Sequence, residues 1–185
     1  AELELGDPRE VATHVGPVID ADAKAKLDGW IAAQDKRGAV RFRAGAEPKQ
    51  GTFVAPAIVE LARASDLTEE VFGPVLHVVR WPAGSLKTML GDIAGNGYGL
   101  TLGIHSRIDT TIADIAASLA NGNVYVNRNM IGAVVGSQPF GGNGLSGTGP
   151  KAGGPNYLAR FALEQVLTVN TAASGGNATL LAEGE

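Results

Sequence analysis

Two stretches of the sequence combine residue types that could bind a small molecule. The first is Glu70-Val71-Phe72-Gly73-Pro74. In an extended segment residues two apart point to the same side, so the Glu70 carboxylate and the Phe72 ring should share one face. A carboxylate can accept two hydrogen bonds from a ribose diol, and an aromatic ring beside it can support a flat heterocycle. On spacing alone, a solvated glutamate next to a core phenylalanine is the favoured alternative.

The second stretch runs from Met130 to Gly154 and is rich in glycine. Glycine alternating with apolar residues predicts a loop that adopts unusual torsions and approaches a ligand or another backbone closely. We interpret it as the wall of a small-molecule site. Gly132-Ala133 would let successive N–H groups approach an anion, and Phe140 would flank the aliphatic part of the same ligand. A tight glycine-rich connection without a ligand explains the pattern equally well.

Residues 142–147 within this stretch match the Gly-x-Gly-x-x-Gly pattern of dinucleotide-binding turns. That pattern requires a strand before it and a helix after it. Here Pro139-Phe140 leads in, and Gly149-Pro150 follows where a helix should begin. We therefore reject the dinucleotide-turn interpretation, and no Gly-Lys-Ser/Thr sequence indicates a phosphate-binding loop.

Composition excludes several classes of function. A net charge of −4 gives no reason to expect nucleic-acid or anionic-membrane binding. No apolar run approaches the roughly 20 residues of a membrane span, and the acidic N-terminus does not resemble a signal peptide, so we expect a cytoplasmic protein. Cysteine is absent, which excludes disulfides, thiolate metal sites and a cysteine nucleophile in this chain. The three histidines lie far apart, so no metal site is predicted.

Helices and strands alternate along the chain and must position both stretches. A first helix, capped by Asp20, should bury Ala23, Leu27, Trp30 and Ile31. Pro56 suggests an edge position or a bulge in its strand. The full pattern predicts helices at about 20–36, 85–93, 109–122 and 156–163, and strands at 39–43, 53–61, 75–81, 100–105, 124–127 and 166–171. We expect an α/β fold, a mostly parallel open sheet flanked by helices.

With both stretches in view, the sequence resembles the C-terminal part of the aldehyde dehydrogenase superfamily. Three matches carry the resemblance: Glu-Glu-Val-Phe-Gly-Pro-Val at 69–75, Asn-Gly-Tyr-Gly-Leu at 96–100, and Pro-Phe-Gly-Gly followed by Ser-Gly at 139–147. Residues 132–158, GAVVGSQPFGGNGLSGTGPKAGGPNYL, are similar to the glutamate-semialdehyde (Δ1-pyrroline-5-carboxylate) dehydrogenase branch. They are especially similar to the dehydrogenase modules of bifunctional proline utilization enzymes.

The resemblance implies oxidation of L-glutamate γ-semialdehyde to L-glutamate with NAD+ in proline catabolism. In such enzymes a cysteine thiolate adds to the aldehyde, hydride passes to NAD+, and water hydrolyses the thioester. Glu70 would bind the nicotinamide-ribose hydroxyls, and Phe72 would pack near the nicotinamide. Gly132 and Ala133 would hold the α-carboxylate end of the substrate, and Phe140 would line its methylene stem. The whole protein would also bind FAD if it carries a proline dehydrogenase module.

The family's catalytic cysteine, glutamate base and oxyanion-hole asparagine lie N-terminal to the matching segment, so no catalytic residue is expected in this chain. Residues 1–165 would form a partial catalytic domain, inactive alone. Residues 166–185 would form an oligomerisation strand and tail, and the strand would join a partner subunit's sheet in a homo-oligomer. Two alternatives remain: a non-catalytic module that binds metabolites or assembles oligomers, and an aldehyde dehydrogenase for another aldehyde. Gly132-Ala133 favours a carboxylate-bearing substrate.

Overall fold

A computed structural model of the chain describes residues 2–134, 136–147, 149–170 and 179. The chain divides into two units: Ala1–Gly132 with Gly141–Gly149, and Ala133–Phe140 with Pro150–Glu185. The helices are α1 (Ala21–Lys36), α2 (Leu86–Gly95) and α3 (Asp109–Ser118), with 3-10 turns at Ala64–Asp66 and Leu158–Phe161. The strands are β1 (Val40–Arg43), β2 (Ala57–Leu61), β3 (Val75–Val79), β4 (Tyr98–Gly99), β5 (Thr101–Ile104), β6 (Asn123–Val126) and β7 (Asn143–Gly144).

Helix α1 has the bounds that the sequence predicts. The Asp20 side chain accepts a hydrogen bond from the Ala23 N–H at 2.7 Å, which satisfies one of the free amides of the first turn. After the helix ends, Gly38 adopts a φ of +68°, a left-handed conformation that suits glycine. The buried face of α1 packs on the segment leading into β2, where Leu27, Ile31, Val54 and Ala57 form a core cluster.

The first sheet has β2 at its centre, antiparallel to β1 and parallel to β3. The prediction that Pro56 marks an edge strand or a bulge in its own strand is wrong. Pro56 has no N–H, so the strand begins one residue later, where the Ala57 N–H donates to the Pro74 carbonyl at 3.0 Å. The irregularity in this sheet lies in β1, between Val40 and Phe42.

The rest of the first unit contains a parallel pair, β5–β6, and a short antiparallel pair, β4–β7. The two parallel pairs and the helices confirm the predicted α/β class. The sheet is mixed, however, and in the described residues it is divided into three parts rather than one open sheet. Helix α3 stops at Ser118, short of the predicted Asn121-Gly122, because buried Leu119 is already extended.

The second unit has little regular structure among its described residues. The helix predicted over 156–163 is reduced to the 3-10 turn Leu158–Phe161. Residues 166–170 form no strand within the single chain, and Thr171 lies outside the described residues. A strand requires a neighbouring strand, and no strand pairing or isolated β-bridge among the described residues includes 166–169. The domain boundary expected between residues 165 and 166 stays a prediction.

Candidate functional site

A cleft of about 780 Å³ in the first unit is lined by α1 and by the first stretch that the sequence singled out. Val71 packs against the core cluster, so its neighbours on either side face away from the core. Glu70 and Phe72 both line the cleft, and Phe72 is 84% exposed. The alternative of a core phenylalanine is therefore wrong, and the shared face of Glu70 and Phe72 stays a prediction.

Helix α1 supplies the other wall of this cleft. Ala23, Lys26, Leu27 and Trp30 are spaced at i, i+3, i+4 and i+7 and therefore share a helix face. The sequence indicated Trp30 as a core residue, but its half-buried ring both packs on the core and lines the cleft. Lys26 was missed as a site residue. The helical spacing of Lys26 and Trp30 was the signal that could have found both.

The cleft is acidic. Asp20, Asp22, Glu69 and Glu70 bring four carboxylates to its lining, and Lys26 brings one ammonium group. Such a surface repels phosphate and favours groups that are cationic or that donate hydrogen bonds. Among the parts of a dinucleotide, the ribose diol and the cationic ring of oxidised nicotinamide meet that requirement, whereas the pyrophosphate does not.

Close packing of Gly73 against α1 fixes one end of the Glu69–Phe72 segment. A Cβ at Gly73 would lie 2.5 Å from Leu27 Cδ1, so glycine allows the segment to approach α1. Behind the segment, Glu69, Glu70, Val71 and His77 contribute to a second cavity of about 270 Å³. The His77 ring meets the Trp30 ring edge-on at 5.0 Å. Burial lowers the pKa of His77, so the imidazole is neutral at pH 7.

Most of the contacts in the second stretch are made by backbone. In residues 141–147, β7 pairs with β4, and the Gly141 N–H donates to Asn123 Oδ1 at 3.2 Å. A Cβ at Gly122 would lie 1.7 Å from the Gly141 carbonyl oxygen, which only glycine permits. This part is the tight connection that the sequence left open as an alternative. Residues 145–146 form a turn rather than a helix, so the rejection of a dinucleotide-binding turn is confirmed.

The backbone around Gly132, earlier in the same stretch, has open surroundings. The N–H groups of Gly132 and Ala133 donate to no described residue, and nothing lies within 4 Å of a Cβ built at Gly132. Phe140 is half-buried and exchanges two backbone hydrogen bonds with Ala152, at 3.1 and 2.9 Å. The division between the units falls between Gly132 and Ala133, with Phe140 in the second unit. The anion-binding role expected of Gly132 and Ala133 stays a prediction.

Two other expectations concern the part of the chain that the structure describes. No helix there is long and apolar enough to cross a membrane. No group of three or more histidine, cysteine, aspartate or glutamate side chains in the same residues could hold a metal ion.

The parallel strand pairs, the helices beside them and the Glu-Glu-Val-Phe-Gly-Pro-Val segment at a cleft define an α/β fold of the aldehyde dehydrogenase type. Residues 1–166 match the model of the aldehyde dehydrogenase family, to which this chain belongs.

Known relatives refine this assignment. The chain is 53% identical over 168 residues to the bifunctional protein PutA of Escherichia coli. The matched segment covers 87% of this chain but 13% of that protein. It is 35% identical to the human mitochondrial Δ1-pyrroline-5-carboxylate dehydrogenase, covering 90% of the chain and 31% of the enzyme. A crystal structure of a Bradyrhizobium japonicum proline utilization A (PutA) mutant superimposes with a TM-score of 0.85 at 63% identity, covering 93% of this chain and 18% of that one. The chain therefore spans less than a third of each relative.

Proposed function

We propose that this chain is part of an NAD-dependent aldehyde dehydrogenase that oxidises L-glutamate γ-semialdehyde to L-glutamate in proline catabolism. The observation that carries the proposal is the 53% identity to a bifunctional PutA protein over most of the chain. The similarity to an enzyme named for Δ1-pyrroline-5-carboxylate, at 35% identity, supports the same reaction. The open Gly132-Ala133 backbone supports a carboxylate-bearing aldehyde over a simple one.

The acidic cleft would bind the nicotinamide-ribose end of NAD+. The Glu70 carboxylate would accept hydrogen bonds from the ribose diol, and the exposed Phe72 ring would pack near the nicotinamide. The bound cofactor would supply the hydride acceptor for the oxidation. Because the cleft repels phosphate, residues outside this chain would hold the pyrophosphate.

The backbone after Met130 would bind the α-carboxylate end of the substrate. Free N–H groups at Gly132 and Ala133 could donate to that carboxylate, since no described residue accepts from them. Phe140 would line the methylene stem. Desolvated carboxylates require such donors, and backbone amides provide them without the entropy cost of ordering a long side chain.

The nucleophile would come from the rest of the protein, because this chain contains no cysteine. We therefore propose that the 185 residues alone are inactive. Exposed Val166, Leu167 and Val169 would join a partner subunit's sheet in a homo-oligomer. FAD would belong to a proline dehydrogenase module, if the whole protein carries one. The missing cysteine equally favours a second candidate, a non-catalytic metabolite-binding or oligomerisation module.

DNA upstream of the codon for Ala1 separates these two candidates. A continuous reading frame encoding a Gly-Gln-x-Cys-like segment is expected for the enzyme. Its absence would favour the non-catalytic module. Purified alone, the chain should show no aldehyde oxidation, and titration with NAD(H) should be followed through the fluorescence of Trp30, which lines the cleft.

The substrate assignment is tested in the full-length protein with Ala133→Val. A β-branched side chain beside the proposed amides should raise KM for glutamate semialdehyde about tenfold, the loss expected for one charge-assisted contact. KM for propanal, which has no carboxylate, should change less than about twofold, because the lost contact is made only to the carboxylate. An equal rise for both aldehydes would show that residue 133 does not contact the carboxylate.

The cofactor assignment is tested with Glu70→Gln in the same protein. An amide accepts ribose hydrogen bonds more weakly than a carboxylate, so kcat/KM for NAD+ should fall about tenfold or more. Glu69→Gln is the matched control, because it removes one carboxylate from the same cleft at a position without a proposed ribose contact. Equal losses of kcat/KM in the two variants would show that the effect comes from the overall charge of the cleft. Glu70 would then have no specific role in binding the ribose.

A further inference from the structure

Asn127 has a backbone conformation that its residue type seldom adopts. Among the described residues it is the one non-glycine residue with a positive φ, at +54°. Asparagine tolerates this left-handed region better than most residues, but the conformation still requires support from its surroundings. Asn127 follows β6 directly and precedes Gly132 by five residues. The unusual torsion therefore lies where the chain leaves the sheet towards the proposed substrate amides.

Three hydrogen bonds hold Asn127 to the end of β5. Its N–H donates to the Ile104 carbonyl at 2.9 Å. Its side-chain Oδ1 accepts from the Ser106 N–H at 3.0 Å, and its Nδ2 donates to the Ser106 carbonyl at 2.9 Å. The amide thus pairs with both backbone groups of one residue, which fixes its rotamer. Asn127 is exposed, so packing of a buried core does not account for this arrangement.

The next residues are also fastened to the β5–β6 pair. The Arg128 guanidinium lies 4.8 Å from the centre of the Tyr125 ring, a cation–π contact with β6. Met130 covers β5, because a Cβ at Gly103 would lie 2.8 Å from Met130 Sδ. Three of the four residues 127–130 therefore contact the β5–β6 pair. These contacts, rather than hydrogen bonds made by Gly132 itself, direct the backbone that leads to Gly132.

We propose that Asn127 is a positioning residue that sets the path of residues 128–132 and thereby aims the Gly132 amide at the substrate carboxylate. This inference rests on the proposed function of that loop. The left-handed torsion turns the chain out of the strand, and the paired amide of the side chain holds the turn against β5. Loss of the torsion or of the side-chain hydrogen bonds should misplace the Gly132 N–H donor without changing the surroundings of the reacting aldehyde. KM for a carboxylate-bearing substrate should therefore change more than kcat.

The test compares Asn127→Ala, Asn127→Gly and Asn121→Ala in the full-length protein. Alanine removes the side-chain bonds and resists the torsion, whereas glycine removes the bonds and keeps the torsion accessible. Asn121→Ala is the matched control: Asn121 Nδ2 donates to the Thr101 carbonyl at 3.3 Å, on the same strand pair but at its other end. Each variant is assayed with glutamate semialdehyde and with propanal, and its unfolding temperature is measured.

We expect Asn127→Ala to raise KM for glutamate semialdehyde about tenfold and Asn127→Gly about threefold, because small displacements of a binding group are costly. KM for propanal, kcat and the Asn121→Ala kinetics should each change less than about twofold. If Asn127→Ala does not fold, Asn127→Gly is judged by the same comparison between aldehydes. Equal KM changes for both aldehydes, or unchanged KM in both Asn127 variants, would overturn the inference. A wild-type protein that oxidises propanal but not glutamate semialdehyde would instead overturn the proposed function.

Discussion

Glycines in the two parts of the Met130–Gly154 stretch have different surroundings. Residues 141–147 run against other backbone, and the closest approach puts the Gly141 carbonyl oxygen 1.7 Å from a Cβ built at Gly122. A Cβ built at Gly132, in the earlier part of the same stretch, would meet nothing within 4 Å. Close packing explains Gly142, Gly144 and Gly147 and leaves Gly132 unexplained. The comparison separates glycines that the fold requires from one that no close contact requires, which leaves the Gly132 amide accessible to a ligand.

The largest effect is expected from Gly122→Ala. A methyl group cannot occupy a position 1.7 Å from a carbonyl oxygen, so the connection between β6 and residues 141–147 must shift. The free energy of unfolding should fall by about 3 kcal/mol or more, at the upper end of overpacking. Urea unfolding of the 185-residue chain, followed by the fluorescence of Trp30 and Trp81, measures the loss. A loss below about 1 kcal/mol would show that this backbone contact is not tight and would weaken the contrast between the two parts.

A smaller, pH-dependent effect is expected from Glu47→Gln. Glu47 accepts from Lys24 Nζ at 2.7 Å and from the Ala55 N–H at 2.9 Å. Burial raises the pKa of Glu47, but these hydrogen bonds and the Lys24 charge outweigh it, so the net pKa lies below its ordinary value. The folded pKa is the lower one, so ionised Glu47 stabilises the fold above its unfolded pKa. That contribution disappears as pH falls through the folded pKa.

Unfolding at a series of pH values measures this contribution. At pH 7 Glu47→Gln should cost about 0.5 to 1 kcal/mol, because water screens a partly exposed ion pair. The difference from wild type should shrink below the ordinary pKa of glutamate and vanish below the lowered folded pKa of Glu47. The Gly122→Ala deficit should stay constant over the same range, because backbone contacts without ionisable groups hold residues 141–147. A pH-dependent Gly122→Ala deficit would contradict this division between side-chain and backbone support.

The smallest effect on stability is expected from Gly132→Ala. Its φ is not positive and its surroundings are open, so the free energy of unfolding should change by less than about 0.5 kcal/mol. In the full-length protein KM for glutamate semialdehyde should nevertheless rise, since a methyl group beside the amide obstructs a carboxylate. Stability and KM are measured on the same variant. A stable variant with unchanged KM would remove Gly132 from the substrate site, and the open glycine would then have no assigned role.

Elements whose ends and buried face are marked by nearby residues agree with the prediction from sequence. Elements that depend on packing against distant residues do not. Helix α1 is confirmed because the apolar spacing lies within it and its two end signals, Asp20 and Gly38, lie within two residues of its ends. The helix predicted at 156–163 fails, because its apolar side chains pack against no surface among the described residues: Leu158, Phe161 and Leu163 are each more than 70% exposed. Helical stability comes mainly from packing of an apolar face, which periodicity alone cannot supply.

The candidate site shows the same distinction. The alternation of Glu70, Val71 and Phe72 predicts a shared face because the pleat of an extended chain is a local property. No local property shows that Lys26 and Trp30 lie across the cleft from Phe72, since they are more than 40 residues away along the chain. The hydrogen bonds between the Asn127 side chain and the Ser106 backbone could not be predicted from the sequence either, because a left-handed torsion at asparagine leaves no periodic pattern.

The sequence by itself determined the α/β class, the family and the exposed segment of Glu70 and Phe72 as a candidate site, because each depends on spacing or on motifs within a few residues. Tertiary structure alone decided which glycines the fold requires. A Gly122 beside the Gly141 carbonyl and an open Gly132 look alike in sequence, and only the approach of distant backbone distinguishes them. Steric exclusion acts over a few ångströms in space, whatever the separation along the chain.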